Sequence, residues 1–272
     1  MIDSQHHSWV VHLQGARSIY RTLYHGKRAV HSQVDILIQR FLVSMFSYID
    51  AAGQCATSDG TVVSGSYWAL DGGLEFQSGP PSLYFGPFTL ANGGHLVELR
   101  LSWCAMMEIQ VSISVFGKAK QRWMPFEQQD QTYSDLFNRT VAWRANVPDP
   151  LRRLAELDGE SFQQYRYPDV IEQVSCIEAY EKATIVYLHR ILAAGRPDRQ
   201  PDSDMIDALV CRILLLISTL VTGVRQLASV WPLFIAGWGA RQEDQQQLVR
   251  EKLTGLQHSG FKVRSDEKYR YI

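Results

Sequence analysis

The sequence predicts an all-α fold, an irregular multi-helix bundle with one long Gly/Pro-rich loop region. Three observations support this prediction. Apolar residues recur at three- and four-residue steps near both ends of the chain, Gly and Pro concentrate in residues 51–92, and no internal repeat or heptad run is visible. A chain of 272 residues, 46% of them hydrophobic, is long enough for one large core. We therefore expect a single helical domain over residues 1–272.

The N-terminal half contains two predicted helices on either side of the loop region. Residues 34–49 place a wide apolar stripe at helical spacing. Residues 51–92 are rich in Gly, Ser and Pro, which indicates a long loop with short turns. Helical spacing resumes near His95 and continues to Phe116, and we expect Gly117 to end this helix.

The C-terminal half begins with a polar stretch, residues 118–149, that contains a few aromatic side chains and leads into a helix near Leu151. Apolar residues at helical spacing predict a helix over residues 169–194, and Gly195 is its expected stop. An amphipathic helix over residues 241–256 carries leucine and valine side chains on one side of a Gln-rich face.

Two apolar segments lie between these helices. Ser203-Asp204 is predicted to be the N-cap of a helix over residues 205–228. The run from Val230 to Gly237 indicates the start of a buried helix, because Pro232 is tolerated in a first helical turn. Gly237 is expected to let another backbone approach closely.

Composition limits the function classes. With 27 basic and 28 acidic residues the net charge is −1, so we expect no direct nucleic-acid contact from this chain. The longest apolar stretch, residues 213–224, is shorter than the roughly 17 residues that a membrane span needs, and we expect no membrane partner. No secretory signal opens the chain, and no pair of cysteines has zinc-ligand spacing, so we expect an intracellular protein without metal or cofactor. The cysteines, expected to be buried reduced thiols, are Cys55, Cys104, Cys176 and Cys211.

Three blocks follow one another in the chain: residues 9–16 with 41–52, residues 179–190, and residues 231–244. In this order they resemble the fungal-specific transcription factor domain, the large helical region found C-terminal to a binuclear zinc cluster in many fungal regulators. The positions that carry the resemblance are Trp9, His12, Leu13, Gly15, Ala16, Tyr48, Asp50, Arg190, Pro232, Phe234 and Gly237. Gly239 and Gln245 depart from it, since the family tends to have an acidic residue and an arginine there.

The resemblance implies a nuclear regulatory domain that acts through ligand sensing or dimerisation and governs metabolic or secondary-metabolite genes. Its partner would be a second copy or a full-length fungal regulator. The six cysteines of the family's zinc cluster have no counterpart here, because the first block already begins at residue 9. DNA contact would then come from a partner or from a segment outside this sequence.

The candidate ligand-pocket residues are aromatic. Trp231 and Trp238 are two helical turns apart and, with Tyr187, are candidates to line one face of an apolar cavity; ordinary core packing is the favoured interpretation. His189, beside Tyr187 and Arg190, is a candidate acid–base group or anion clamp, although a helix surface pairing is the favoured interpretation because no nucleophile is adjacent.

We predict no catalytic residue, because no nucleophile elbow or phosphate-binding glycine motif is present. The alternative to a regulator is a stand-alone small-molecule-binding protein, or a cyclase or isomerase that works by positioning its substrate. The basic run at residues 118–123 ends in Trp123, a combination that can contact nucleic acid, although a solvated loop is the favoured interpretation.

Overall fold

The computed structural model describes residues 93–157, 161, 168–220 and 229–258, together with residue 15. Over these residues the protein is all-α, as predicted, with seven α-helices and no strand. The helices are α1 Gly93–Gln121, α2 Phe126–Ala145, α3 Asp149–Leu154, α4 Pro168–Ala193, α5 Ser203–Ser218, α6 Val230–Gly239 and α7 Glu243–His258, with one 3₁₀ turn, Pro197–Arg199, after α4.

These helices all belong to the C-terminal of two units into which the chain divides, Asn92–Ile272. The predicted helix over residues 34–49 and the predicted loop over residues 51–92 lie outside the described residues. The expectation of one domain over residues 1–272 therefore stays a prediction.

The central element is α4, which packs against α1, α2, α3, α5 and α6. Every residue from Ile171 to Glu181 is buried, three full turns without an exposed face. A helix buried on all sides is ordinarily apolar all round, yet this segment includes glutamate, glutamine and serine side chains. Their polar groups need partners from the surrounding helices.

The predicted ends of α4 are confirmed, and the N-cap of α5 is corrected. Gly195 has a φ of 73°, the left-handed conformation that commonly ends a helix and that glycine adopts without strain. At the start of α5 the capping side chain is that of Asp202, whose carboxylate accepts a 3.0 Å hydrogen bond from the Asp204 backbone N–H. The predicted cap at Ser203-Asp204 was therefore one to two residues late.

The predicted stop at Gly117 is wrong, because α1 continues to Gln121. A glycine is needed at position 117 because a side chain of a neighbouring helix packs closely against it. A Cβ added at Gly117 would lie 3.1 Å from Ile191 Cδ1, so the bare backbone makes room for a side chain of α4. The chain leaves the helix at Trp123, which has a φ of 75° and a side chain that is 95% exposed.

Residues 118–149 contain a helix, α2, that apolar spacing did not predict. Its buried positions include Leu136 and Trp143, which keep helical spacing, but also Gln129 and Thr140. Gln129 Nε2 donates to the Met124 carbonyl at 2.7 Å, which gives its amide NH2 group a partner inside the core. Polar residues on the buried side of α2 hide its periodicity from a search for apolar stripes.

The buried helix start at Val230 is confirmed, with Pro232 buried in the first turn of α6. A Cβ added at Gly237 would lie 3.1 Å from the side chain of Val249 in α7, so a side chain rather than a backbone approaches this glycine. Gly239 is tighter, because a Cβ there would lie 2.8 Å from Val210 Cγ2 of α5.

Alanine substitutions should distinguish glycines that pack against a neighbouring helix from glycines that have open space around them. We expect Gly239→Ala to lower the free energy of unfolding by about 1–3 kcal/mol, because the new methyl group overpacks the contact with Val210. Gly255→Ala on α7, where a Cβ would meet nothing within 4 Å, should raise it by about 0.5–1 kcal/mol, since alanine favours helix over glycine. Urea denaturation of both variants measures the effects, and equal stabilities for the two would contradict this packing.

Candidate functional site

A continuous row of aromatic rings follows the contact between α4 and α6. Tyr180 stacks on Trp231 with ring centroids 5.1 Å apart, and Tyr187 meets Trp231 edge-on at 6.2 Å. Tyr187 also lies 6.2 Å from Trp238, and Trp103 of α1 meets Tyr180 at 4.5 Å. We call these five residues the aromatic row.

The two helices build the row by the same seven-residue spacing. Tyr180 and Tyr187 are two turns apart on α4, as are Trp231 and Trp238 on α6, so each pair lies on one face of its helix. Three of the four candidate pocket residues, Tyr187, Trp231 and Trp238, are thus brought together. Trp231 is 3% exposed, while Tyr187 and Trp238 are half-buried.

His189, the fourth candidate, lies away from the aromatic row. Its Nδ1 is 3.2 Å from the Tyr133 hydroxyl, and its ring packs edge-on against Tyr133 and Phe137 of α2. Two residues along a helix correspond to about 200° of rotation, so His189 and Tyr187 point to different neighbours. Burial lowers the pKa of His189, which favours the neutral imidazole.

Arg190 lies at the end of the row, with its guanidinium 5.8 Å from the centroid of the Trp238 ring. Burial lowers the pKa of Arg190, and the nearby charge of Arg241 acts in the same direction. A cation over an indole face is attracted by the ring quadrupole. The row therefore begins at the buried Trp103 and ends at Trp238, beside a half-buried cation.

A buried charge cluster, absent from the sequence predictions, lies on a different side of α4. Arg212 Nε of α5 donates to Glu178 Oε1 at 2.9 Å, and Arg144 Nε of α2 donates to Glu181 Oε1 at 2.7 Å. Lys182 Nζ lies 3.1 Å from Glu181 Oε2. The two glutamate side chains are 1% and 3% exposed, so their charges are stable there only because they are paired.

Arg212 also connects the cluster to α3, because its guanidinium donates to the carbonyls of Leu154 at 2.7 Å and Leu157 at 2.8 Å. These carbonyls lie at and just beyond the C-terminus of α3, where helix carbonyls lack intrahelical partners. The signal for the cluster in the sequence is the presence of single charged residues within apolar helices: Glu178 and Glu181 in α4, and Arg212 beside the apolar run of α5.

The basic run at residues 118–123 supplies a structural cation. Lys120 Nζ donates to the carbonyls of Ile191, Leu192 and Ala194 at 2.5–2.6 Å, and so satisfies the C-terminus of α4. Burial lowers the pKa of Lys120, and repulsion from Arg196 adds to this effect. The lysine thus belongs to neither a solvated loop nor a free basic patch.

Metal-ligand clusters of three or more His, Cys, Asp or Glu residues do not occur within the described residues. Cys176 is buried, as expected, but Cys104 is half-buried and Cys211 is exposed, so the expectation of four buried thiols was wrong for these two. Cys55 lies outside the described residues. Among the helices described, none is long and apolar enough to cross a bilayer.

The positions that carry the family resemblance divide between described and undescribed parts of the chain. Pro232 is buried and Phe234 half-buried in α6, with Gly237 against Val249. Gly15 is helical and exposed. The remaining positions of the first block, Trp9, His12, Leu13, Ala16, Tyr48 and Asp50, lie outside the described residues.

Comparison with known families gives one match. The family model described as the fungal specific transcription factor domain matches residues 109–266, more than half of the chain. The second and third blocks of the resemblance lie inside this range, and the first block lies before it. No curated protein and no solved structure matches the chain.

The charge cluster should give stability a defined pH dependence. Burial lowers the pKa of Lys182 from 10.5 to about 8, with repulsion from Arg144 adding to it. Between these values the unfolded chain binds the proton more strongly than the folded protein, so the unfavourable contribution of Lys182 disappears as pH rises. Relative to Lys182→Met, the parent should therefore gain about 3 kcal/mol of unfolding free energy between pH 7 and pH 10.5.

Urea denaturation at both pH values measures this difference. Lys252→Met, which changes the same residue type on α7 outside the cluster, is the control. A parent-to-Lys182→Met difference that stays constant with pH would contradict the burial of a charged lysine at this position.

Proposed function

The chain belongs to the fungal specific transcription factor domain family, which gives it a transcription-regulator-like role, and we propose that it fills this role by sensing a small apolar ligand. In this proposal it acts in the nucleus and governs metabolic or secondary-metabolite genes. It pairs with a second copy or with a full-length regulator, and DNA contact comes from another segment or partner.

The observation that carries the proposal is the aromatic row. Large planar side chains from α4 and α6 converge at one contact, where a planar apolar molecule gains ring stacking in addition to the burial of its surface. Tyr187 and Trp238 are half-buried, so the row reaches the surface at this end. A ligand entering there would lie between the two helices.

The position of α4 supplies a route from ligand to regulation. A ligand changes a protein's conformation only if it binds one arrangement of the helices better than another. Because α4 also packs against α1, α2, α3 and α5, a change in its contact with α6 alters the surroundings of four further helices. Such a change is the proposed signal to a dimer partner or to the transcription machinery.

Ligand sensing predicts measurable binding of a planar hydrocarbon. In equilibrium dialysis of the full chain we expect 2-isopropylnaphthalene to bind, and Trp238→Ala to weaken its binding about 10-fold, because a stacked ring contributes on the order of 1 kcal/mol beyond its buried area. Trp123→Ala is the matched control, since it removes a tryptophan whose side chain is 95% exposed. Failure of the parent to bind any planar apolar probe, or equal weakening in both variants, would refute ligand sensing at the aromatic row.

A further inference from the structure

Two buried hydrogen-bond donors at the α4–α6 contact have no partner among the described residues: Thr184 Oγ1 and Trp231 Nε1. Thr184 is fully buried and Trp231 is 3% exposed, so water does not solvate them from the surface. A buried donor without a partner costs about 1–3 kcal/mol, and folded proteins rarely keep one without a reason.

Thr184 differs from most serines and threonines in the helices described here. The usual arrangement in this protein is a hydroxyl that donates to the carbonyl four residues earlier. It occurs at Ser102, Ser112, Ser114, Ser134, Thr140 and Thr254. Thr184 makes no such bond to the carbonyl of Tyr180, although that carbonyl stands one turn before it. Its hydroxyl is therefore available to another acceptor.

Both donors lie along the aromatic row. Thr184 stands between Tyr180 and Tyr187 along the face of α4 whose tyrosine rings contact Trp231. Gln173 lies two turns before Tyr180 on the same face, about 10 Å along the helix axis. Gln173 is fully buried, and both polar atoms of its amide lack partners among the described residues. Unpartnered polar groups thus accompany the aromatic row on one side of α4.

We propose that this face of α4 and α6 binds a planar apolar molecule that carries a hydrogen-bond-accepting oxygen, such as an aryl ketone. Trp231 Nε1 and Thr184 Oγ1 donate to that oxygen, and the Gln173 amide meets a second polar group of a longer ligand. This inference rests on the proposed function, because it specifies the ligand of the same aromatic row. A pure hydrocarbon of the same shape can stack on the row but leaves both donors unpaired, so it should bind less tightly than the ketone.

The test compares two probes of nearly equal shape, 2-acetylnaphthalene and 2-isopropylnaphthalene, by equilibrium dialysis against the full chain. The ketone should bind about 10-fold more tightly, which corresponds to the net value of one or two hydrogen bonds. Thr184→Val removes one donor and keeps the side chain's shape, whereas Trp231→Phe removes the other donor together with part of the ring. Both should reduce this preference, which compares the two probes within the same variant and so cancels the loss of ring area. Thr140→Val is the matched control, because its buried hydroxyl already donates to the Leu136 carbonyl; it should leave the preference unchanged.

A second readout needs no ligand. Removing an unpartnered buried hydroxyl relieves its desolvation cost, so Thr184→Val should melt a few degrees above the parent. A lower melting temperature for Thr184→Val would mean that an internal water or backbone group already satisfies the hydroxyl, and would overturn the proposal.

The dialysis outcomes separate the two hypotheses. Equal binding of both probes by the parent, or a ketone preference that survives in both donor variants, overturns the oxygen-binding inference and leaves ligand sensing intact. Failure of both probes to bind refutes the proposed function and this inference with it.

Discussion

The burial of charged side chains around α4 is the constraint on which the rest of the structure depends. Glu178 and Glu181 have almost no contact with solvent, and transferring a carboxylate from water into a protein interior costs several kcal/mol unless partners compensate. Their partners, Arg212 and Arg144, come from α5 and α2. Arg212 also binds carbonyls at the end of α3, so one cluster fixes the relative positions of four helices.

The two sides of α4 differ in how much rearrangement their contacts tolerate. The charged side tolerates little, because each carboxylate must lie at hydrogen-bond distance from its guanidinium. The aromatic side depends on ring packing, which admits more than one arrangement of neighbouring rings. With every residue from Ile171 to Glu181 buried, this part of α4 cannot shift towards α6 without disturbing its other contacts. This coupling suits a regulatory domain, in which a structural change at one face must alter the structure at another.

The C-terminal end of α4 is also attached to neighbouring elements by charged side chains. The Lys120 ammonium lies at the negative end of the α4 dipole and donates hydrogen bonds to three backbone carbonyls there. Beyond the helix, Arg196 is 5% exposed and donates to Asp130 of α2 at 2.8 Å while its guanidinium lies 4.5 Å from the centroid of the Phe126 ring. The helix hairpin of α1 and α2 is therefore attached to α4 at its end as well as along its length.

The sequence by itself determined which segments are helical where one face is apolar. It predicted α1, α4, α6 and α7, and also α5, although that helix ends at Ser218 and not at the predicted Ala228. It placed Trp231 and Trp238 on one face of α6, because seven-residue spacing returns a helix to the same face. It missed α2, whose buried side includes Gln129 and Thr140.

Tertiary structure alone decided the roles of polar and small residues. The partner of Glu178 is 34 residues away in the chain, and the need for glycine at position 117 arises from a side chain of another helix. His189 lies two residues from Tyr187 but meets α2 instead of the aromatic row. Helical spacing is a local property of the chain, whereas charge pairing, close packing and the partners of each helix face depend on how separate helices meet.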